Sequence, residues 1–245
     1  TSANGLIDAL PLTNGMFAAG DCADVFESLG RYEDLALVYE ELSGSDAASP
    51  TSRRQDRLRA ARAYRACGQV ERAVEVFLLL MSEESDLSLE AARQLEPLAR
   101  ELGEHARHER SLEYQILHET GTKRIRALEE LLALHIATRP REQAKLSAER
   151  LLQADTSSPK GHFYLAESAR QDAGFEETLH HLSSLLFARG RERGLSESLL
   201  EKLYVEAISL ADVFEPRLSE RLRADYSLEF PSRELAAVDL IQEHR

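Results

Sequence analysis

Ala61-x2-Tyr64, Gly68 and Ala73-x3-Phe77 follow one another in a short stretch, and their order decides the fold. Ala61 and Tyr64 share one face of a helix, as do Ala73 and Phe77, because residues three and four apart lie on the same side of a helical turn. Gly68 between them suits a left-handed helix end, so the stretch predicts two helices joined by a tight turn. A second copy reads Ala166-x2-Ala169, Ala173 and Thr178-x3-Leu182. Taking the turn residue of each hairpin as an anchor gives Gly30, Gly68, Gly103, Arg139 and Ala173, at spacings of 38, 35, 36 and 34. A helical hairpin cannot bury its apolar face alone, so a period of this length predicts a solenoid of stacked neighbours.

Composition agrees. A chain of 245 residues, 43% hydrophobic and 30% charged, can bury a sizeable core without disulfides. Aromatics are only 6% and Trp is absent, which favours close helix packing over sheet cores and predicts an all-α fold. Thirty basic against 43 acidic residues give a net charge of −13, which disfavours nucleic acid and anionic membrane surfaces as partners. Cys22 and Cys67 lie far apart without metal-ligand spacing, so a reducing cytoplasm is the expected compartment. No apolar run is long enough for a membrane span. Only Lys123, Lys145, Lys160 and Lys202 are lysine among the basic residues, an arginine bias that points to a bacterial source.

The repeats set the expected boundaries: hairpins at 12–48, 49–85, 86–120, 121–156 and 157–190, a divergent hairpin at 191–229 and a capping helix at 230–245, all in one solenoid domain 1–245. Ser43 to Pro50 is a cluster of loop formers that explains the longest spacing, with Ser49 or Thr51 as cap of the next helix. Pro140 restarts the fourth hairpin and Pro216 starts the second helix of the sixth. Pro97 inside a first helix predicts a kink. Residues 1–11 read as the tail of an earlier helix, and a chain beginning at Thr1 reads as a piece of something longer.

These residues resemble the tetratricopeptide repeat family. The small residue of its first helix falls at Ala23, Ala61 and Ala166, with Phe26 and Tyr64 as the following aromatic; the second helix matches at Ala73, Ala144, Tyr39, Phe77 and Leu182. Leu35, Thr178 and His108 replace the family's small residue. The resemblance implies a right-handed α-solenoid of antiparallel hairpins whose first helices line a concave groove that binds a peptide or protein. Mapped onto this chain, groove-facing positions include Arg62, Arg65, Arg93, Arg100, Arg126, Lys160, Phe163 and Arg170. A net acidic chain would then present a basic inner face suited to an acidic segment, since arginine pairs bidentately with carboxylates. The same arginines could instead pair with glutamates of neighbouring helices and form an ordinary solvated face.

Signals for chemistry are few. Thr13 to Asp21 is similar to the Gly-Asp segment of flavin-dependent disulfide reductases, but no G-x-G-x-x-G accompanies it. His105 and His108 are spaced to share a helix face and hold a metal, whereas His180 and His181 point to different sides; packing or surface roles are the default for all four. Phosphate-loop, zincin and nucleophile-elbow motifs are missing from the sequence. The reading is therefore a non-enzymatic scaffold with no cofactor. A sensor or docking arm of a larger signalling enzyme, and a module that self-associates through its end surfaces, stand as alternatives.

Overall fold

The computed structural model describes residues 17–188 and 195–231, with side chains given from residue 23 onward. Every regular element among them is an α-helix. The chain divides into two compact units, Thr1–Glu119 and Thr120–Arg245. In the first, α1 (Phe17–Ser28) pairs with α2 (Tyr32–Gly44), α3 (Pro50–Ala66) with α4 (Val70–Ser82), and α5 (Ser88–Glu101) with α6 (His105–His118). In the second, α7 (Gly121–Thr138) pairs with α8 (Arg141–Ala154), α9 (Pro159–Gln171) with α10 (Phe175–Phe187), and α11 (Glu197–Phe214) with α12 (Pro216–Glu229). Within each unit every helix packs on the next in chain order, so each unit is a stack of antiparallel hairpins.

The turns show why the period exists. After α3, Gly68 takes φ +81, its N–H reaches Arg65 O at 3.1 Å, and the N–H of Gln69 reaches Tyr64 O at 2.9 Å. This paired closure satisfies the last carbonyls of the helix and needs a residue that tolerates positive φ. The same two bonds recur at Gly30–Arg31, at Gly103–Glu104 and at Ala173–Gly174. Ala173 adopts φ +56 despite its Cβ, so the hairpin imposes the turn where the residue type does not favour it.

The fourth anchor differs. Arg139 sits at φ −120, ψ 162, and Pro140 is the N-cap of α8 with φ −56, ψ 148, one residue before the helix rather than in its first turn. A proline disfavours helical conformation for the residue before it and pushes it toward extended backbone, so Arg139 does not form the turn seen elsewhere. Ser49 caps α3, accepting from Ser52 N at 3.1 Å. Pro97 lies inside α5, which runs on to Glu101 without the break that a proline invites. Residues 1–11 and 191–194 lie outside the described residues, as does the proposed capping helix beyond Pro231; Phe230 ends α12 as its C-cap and is buried.

Small residues interlock with large ones at the seams. In the first unit Ala61, Ala73, Ala91 and Ala92 are fully buried beside Tyr64, Phe77 and Leu95, joining α3, α4 and α5 in one core. In the second unit Ala166, Leu182, Ala207 and Leu222 share a core with Tyr204, Tyr226 and Phe230. Tyr204 meets Tyr226 and Phe230 edge to face, at centroid distances of 5.9 and 6.2 Å, a geometry that aromatic quadrupoles favour. Leu35, His108 and Thr178 are buried where the pattern asks for a small residue. Tyr64 also donates from its hydroxyl to Glu40 Oε2 at 2.5 Å, and burial followed by that carboxylate pushes its pKa up to about 12.

Candidate partner-binding face

The first helices carry the basic side chains singled out in the sequence, and in each unit these form bridges from one hairpin to another. Arg62 on α3 donates from Nη2 to Glu90 Oε1 on α5 at 3.0 Å, and Arg65 Nη1 donates to Gln94 Oε1 at 3.1 Å. Glu90 also accepts from Gln94 Nε2 at 3.0 Å and lies 3.6 Å from Arg93 Nη1. Burial pushes the Glu90 carboxyl up, but the hydrogen bonds from Gln94 and Arg62 and the charges of Arg62 and Arg93 outweigh it and hold its pKa below the ordinary value. Arg93 turns to Glu119 at the end of α6, donating from Nε at 2.6 Å to a carboxylate that is 9% exposed. Arg100 lies 3.5 Å from Glu96 on the same helix.

The second unit repeats the arrangement. Lys160 on α9 reaches back to Glu129 on α7 at 2.7 Å, and Arg170 on α9 reaches forward to Glu206 on α11, with Nε at 2.6 Å from Oε1 and a second bond from Nη2 to Oε2. Burial lowers the Arg170 pKa, yet Glu206 and Glu167 together raise it above the ordinary value. Phe163 is half-buried and packs on the second core rather than standing free. Arg126 is exposed on α7, and no ion pair is recorded for it among the described residues.

Sequence reasoning missed one feature of this region, a cavity of about 280 Å³ whose lining includes Ile136, Arg139, Arg141, Tyr164, Glu167 and Gln171. Arg141, at the start of α8, donates from Nε to Ser168 Oγ at 3.1 Å and from Nη2 to Ser168 O and Asp172 Oδ2. Tyr164 donates back to Arg141 O at 3.3 Å. Arg141 was not a candidate because only first helices were mapped, although a cation three residues past the end of α7 was a readable signal.

The four histidines weighed as ligands fall apart by burial. His108 is 5% exposed with Nε2 3.6 Å from Glu96 Oε1, while His105 faces outward, so the two do not share a face. His181 is buried and His180 exposed. Among the described residues no three His, Cys, Asp or Glu side chains are placed to hold a metal ion. No described helix is long and apolar enough to cross a membrane.

Four turns closed by the same pair of hydrogen bonds, each joining a first helix to its antiparallel partner, identify the architecture. The chain is an all-α helical-repeat protein built of stacked antiparallel hairpins. No protein-family profile matches the sequence and no curated protein matches it. Solved structures do. MamA (AMB-1) is 19% identical with a TM-score of 0.46, over 74% of this chain and 94% of its own. PilF of Pseudomonas aeruginosa is 14% identical with a TM-score of 0.42, over 93% of this chain and 96% of its own. A tetratricopeptide repeat protein from Parabacteroides merdae is 15% identical with a TM-score of 0.45, over 89% of this chain and 79% of its own. At these identities the likeness concerns the fold alone.

Within that architecture, the bridges join helices that are not consecutive: α3 to α5, α7 to α9 and α9 to α11. These bridges run over the shared cores and leave part of each charged head at the surface.

Proposed function

We propose that the chain is a non-catalytic scaffold that binds a peptide or protein segment of acidic character on the first-helix face of each unit. The observation that carries this reading is the set of cations on those helices, Arg62, Arg65, Arg93 and Arg100 in the first unit and Arg126, Lys160 and Arg170 in the second, in a chain of net charge −13. A guanidinium has five N–H donors in a fixed fork, and a partner helix uses only one or two of them. Arg62 and Arg100 remain 50% and 52% exposed with their glutamate partners in place, and Lys160 63%. The bridges therefore orient the cations without consuming them, and orientation lowers the entropy that a partner must overcome. Phe163 beside Lys160 adds half-buried apolar surface to the same face. Cysteines at positions 22 and 67 alone favour the cytoplasm as the compartment of this scaffold.

Arg126 offers the cleanest test, since its reversal breaks no recorded ion pair. Arg126→Glu is expected to leave unfolding free energy within about 0.5 kcal/mol, as exposed substitutions do. Affinity for immobilised ten-residue peptides rich in Asp and Glu is expected to fall about tenfold, from loss of one attraction and gain of one repulsion. Interferometry against acidic, neutral and basic peptide sets reads the result. Equal binding to all three sets, or acidic-peptide binding untouched by the reversal, contradicts the proposal.

A further inference from the structure

The cavity in the second unit has walls from three helices. Ile136 near the end of α7 supplies one, Arg141 and Ala144 of α8 a second, and Tyr164, Glu167 and Gln171 of α9 a third. At about 280 Å³ it lies at the small end of ligand pockets, with room for a molecule of amino-acid size. Ile136 is 53% exposed and Ala144 1%, so the apolar part of the lining runs from the surface into the interior.

Arg141 is held in place by its own bonds. Nε donates to Ser168 Oγ, and Nη2 donates to Ser168 O and to Asp172 Oδ2. A guanidinium has two further N–H groups, on Nη1, and no acceptor is recorded for them among the described residues. A donor pair on a group already fixed by three bonds loses little entropy on meeting a ligand. Glu167 is its counterpart on α9. Oε1 of Glu167 accepts from Arg170, and no donor is recorded for Oε2 among the described residues. Tyr164 donates its proton to Arg141 O, which leaves the phenolic oxygen able to accept.

Charge decides what those groups fit. Arg139 and Arg141 line the cavity with Glu167, and a second carboxylate, Asp172, lies 2.5 Å from Arg141. Arg170, on the outer side of Glu167, is balanced by Glu206. The surroundings are therefore close to neutral. A simple anion would meet Glu167 and a simple cation would meet the arginines, so a ligand of one charge is repelled where it is not attracted. A ligand that carries a carboxylate and an ammonium a few ångströms apart has a partner for each.

We propose that this cavity binds a free α-amino acid with an apolar side chain, its carboxylate on the Nη1 edge of Arg141, its ammonium on Glu167 and its side chain against Ile136 and Ala144. The site lies within one unit and stands independently of the acidic-partner reading.

The native chain provides the test, through ¹H–¹⁵N correlation spectra titrated with L-leucine. The expected Kd is about 1 mM, ordinary for a ligand of so few atoms, and spectra are followed to about 10 mM. Amide shifts are expected to centre on residues 136–144 and 164–171. Three relatives of leucine separate the contacts: isocaproic acid lacks the ammonium, isoamylamine lacks the carboxylate, and N-acetyl-leucine methylamide lacks both charges. Each is expected to bind at least about tenfold more weakly, because each leaves a charged group of the site without its partner. Glu167→Gln should weaken leucine by about tenfold while isocaproic acid binds as well as before or better, a crossing that mere loss of structure does not produce. Leucine without effect, shifts centred elsewhere, or any of the three relatives binding as tightly as leucine overturns the proposal. Equal losses for leucine and isocaproic acid in a folded Glu167→Gln overturn it too; should that variant fail to fold, the three relatives decide on the native chain alone.

Discussion

Phe77→Ala is expected to destabilise the first unit by about 3–5 kcal/mol, the range for truncating a fully buried aromatic ring. Phe77 is 0% exposed on α4 and shares its core with Tyr64 and Ala61 of α3 and with Ala91, Ala92 and Leu95 of α5. Its loss removes apolar contact and leaves a cavity between one hairpin and the next. In a stack whose stability is a sum of hairpin and nearest-neighbour terms, such a cavity weakens an interface as well as a hairpin. Urea unfolding followed by circular dichroism measures the cost. A loss under about 1 kcal/mol would mean that Phe77 does not seal two hairpins together.

The second large effect runs the other way, from adding a single carbon. A Cβ built on Gly161 in α9 would lie 2.8 Å from Leu152 Cδ2 and 2.9 Å from Leu152 Cγ on α8, with Ala148 O at 3.5 Å. Contacts this short force a shift of the helix or of the leucine, because the hairpin seams are close-packed. Gly161→Ala is therefore expected to cost about 1–3 kcal/mol, although alanine is the better helix former. The cause is separable by a double-mutant cycle. Combining it with Leu152→Ala should recover much of the Gly161→Ala cost, and additive costs would show that the clash is not with Leu152.

The residues themselves show how far the sequence could be read. Gly68 announced its turn, because glycine after an apolar run has an immediate conformational meaning. Ala173 did so only by its place in the period, since alanine by itself argues against positive φ. Arg139 kept the period but not the turn, and Pro140 beside it held the reason, because a residue before proline is driven to extended backbone. Helix faces were legible from small-large spacing, which is why Ala61, Ala73 and Phe77 sit where expected.

The candidate face was legible by position and not by partner. Arg62 could be mapped to a first helix, but its bond to Glu90 spans 28 residues and depends on the register between hairpins, which no local pattern encodes. The same limit hid the meeting of His162 with His181, 19 residues apart. His105 and His108 failed as a pair for a different reason. Spacing places two side chains near one another on a helix, yet the edge of a packing seam runs between these two and buries only His108.

The central claim is that the basic row on the first helices of each unit faces a partner and does not serve only to bind the helices together. Exchanging the charges of one bridge separates the two roles: Arg62→Glu with Glu90→Arg rebuilds an ion pair between α3 and α5 but moves the cation to the other helix. An exposed pair contributes at most about 1 kcal/mol, so unfolding free energy should stay within that margin. The measurement that decides is the affinity of this swapped chain for the acidic peptides. The account predicts a fall of about tenfold at unchanged stability; affinity equal to that of the native chain would make the row an internal ladder and contradict it.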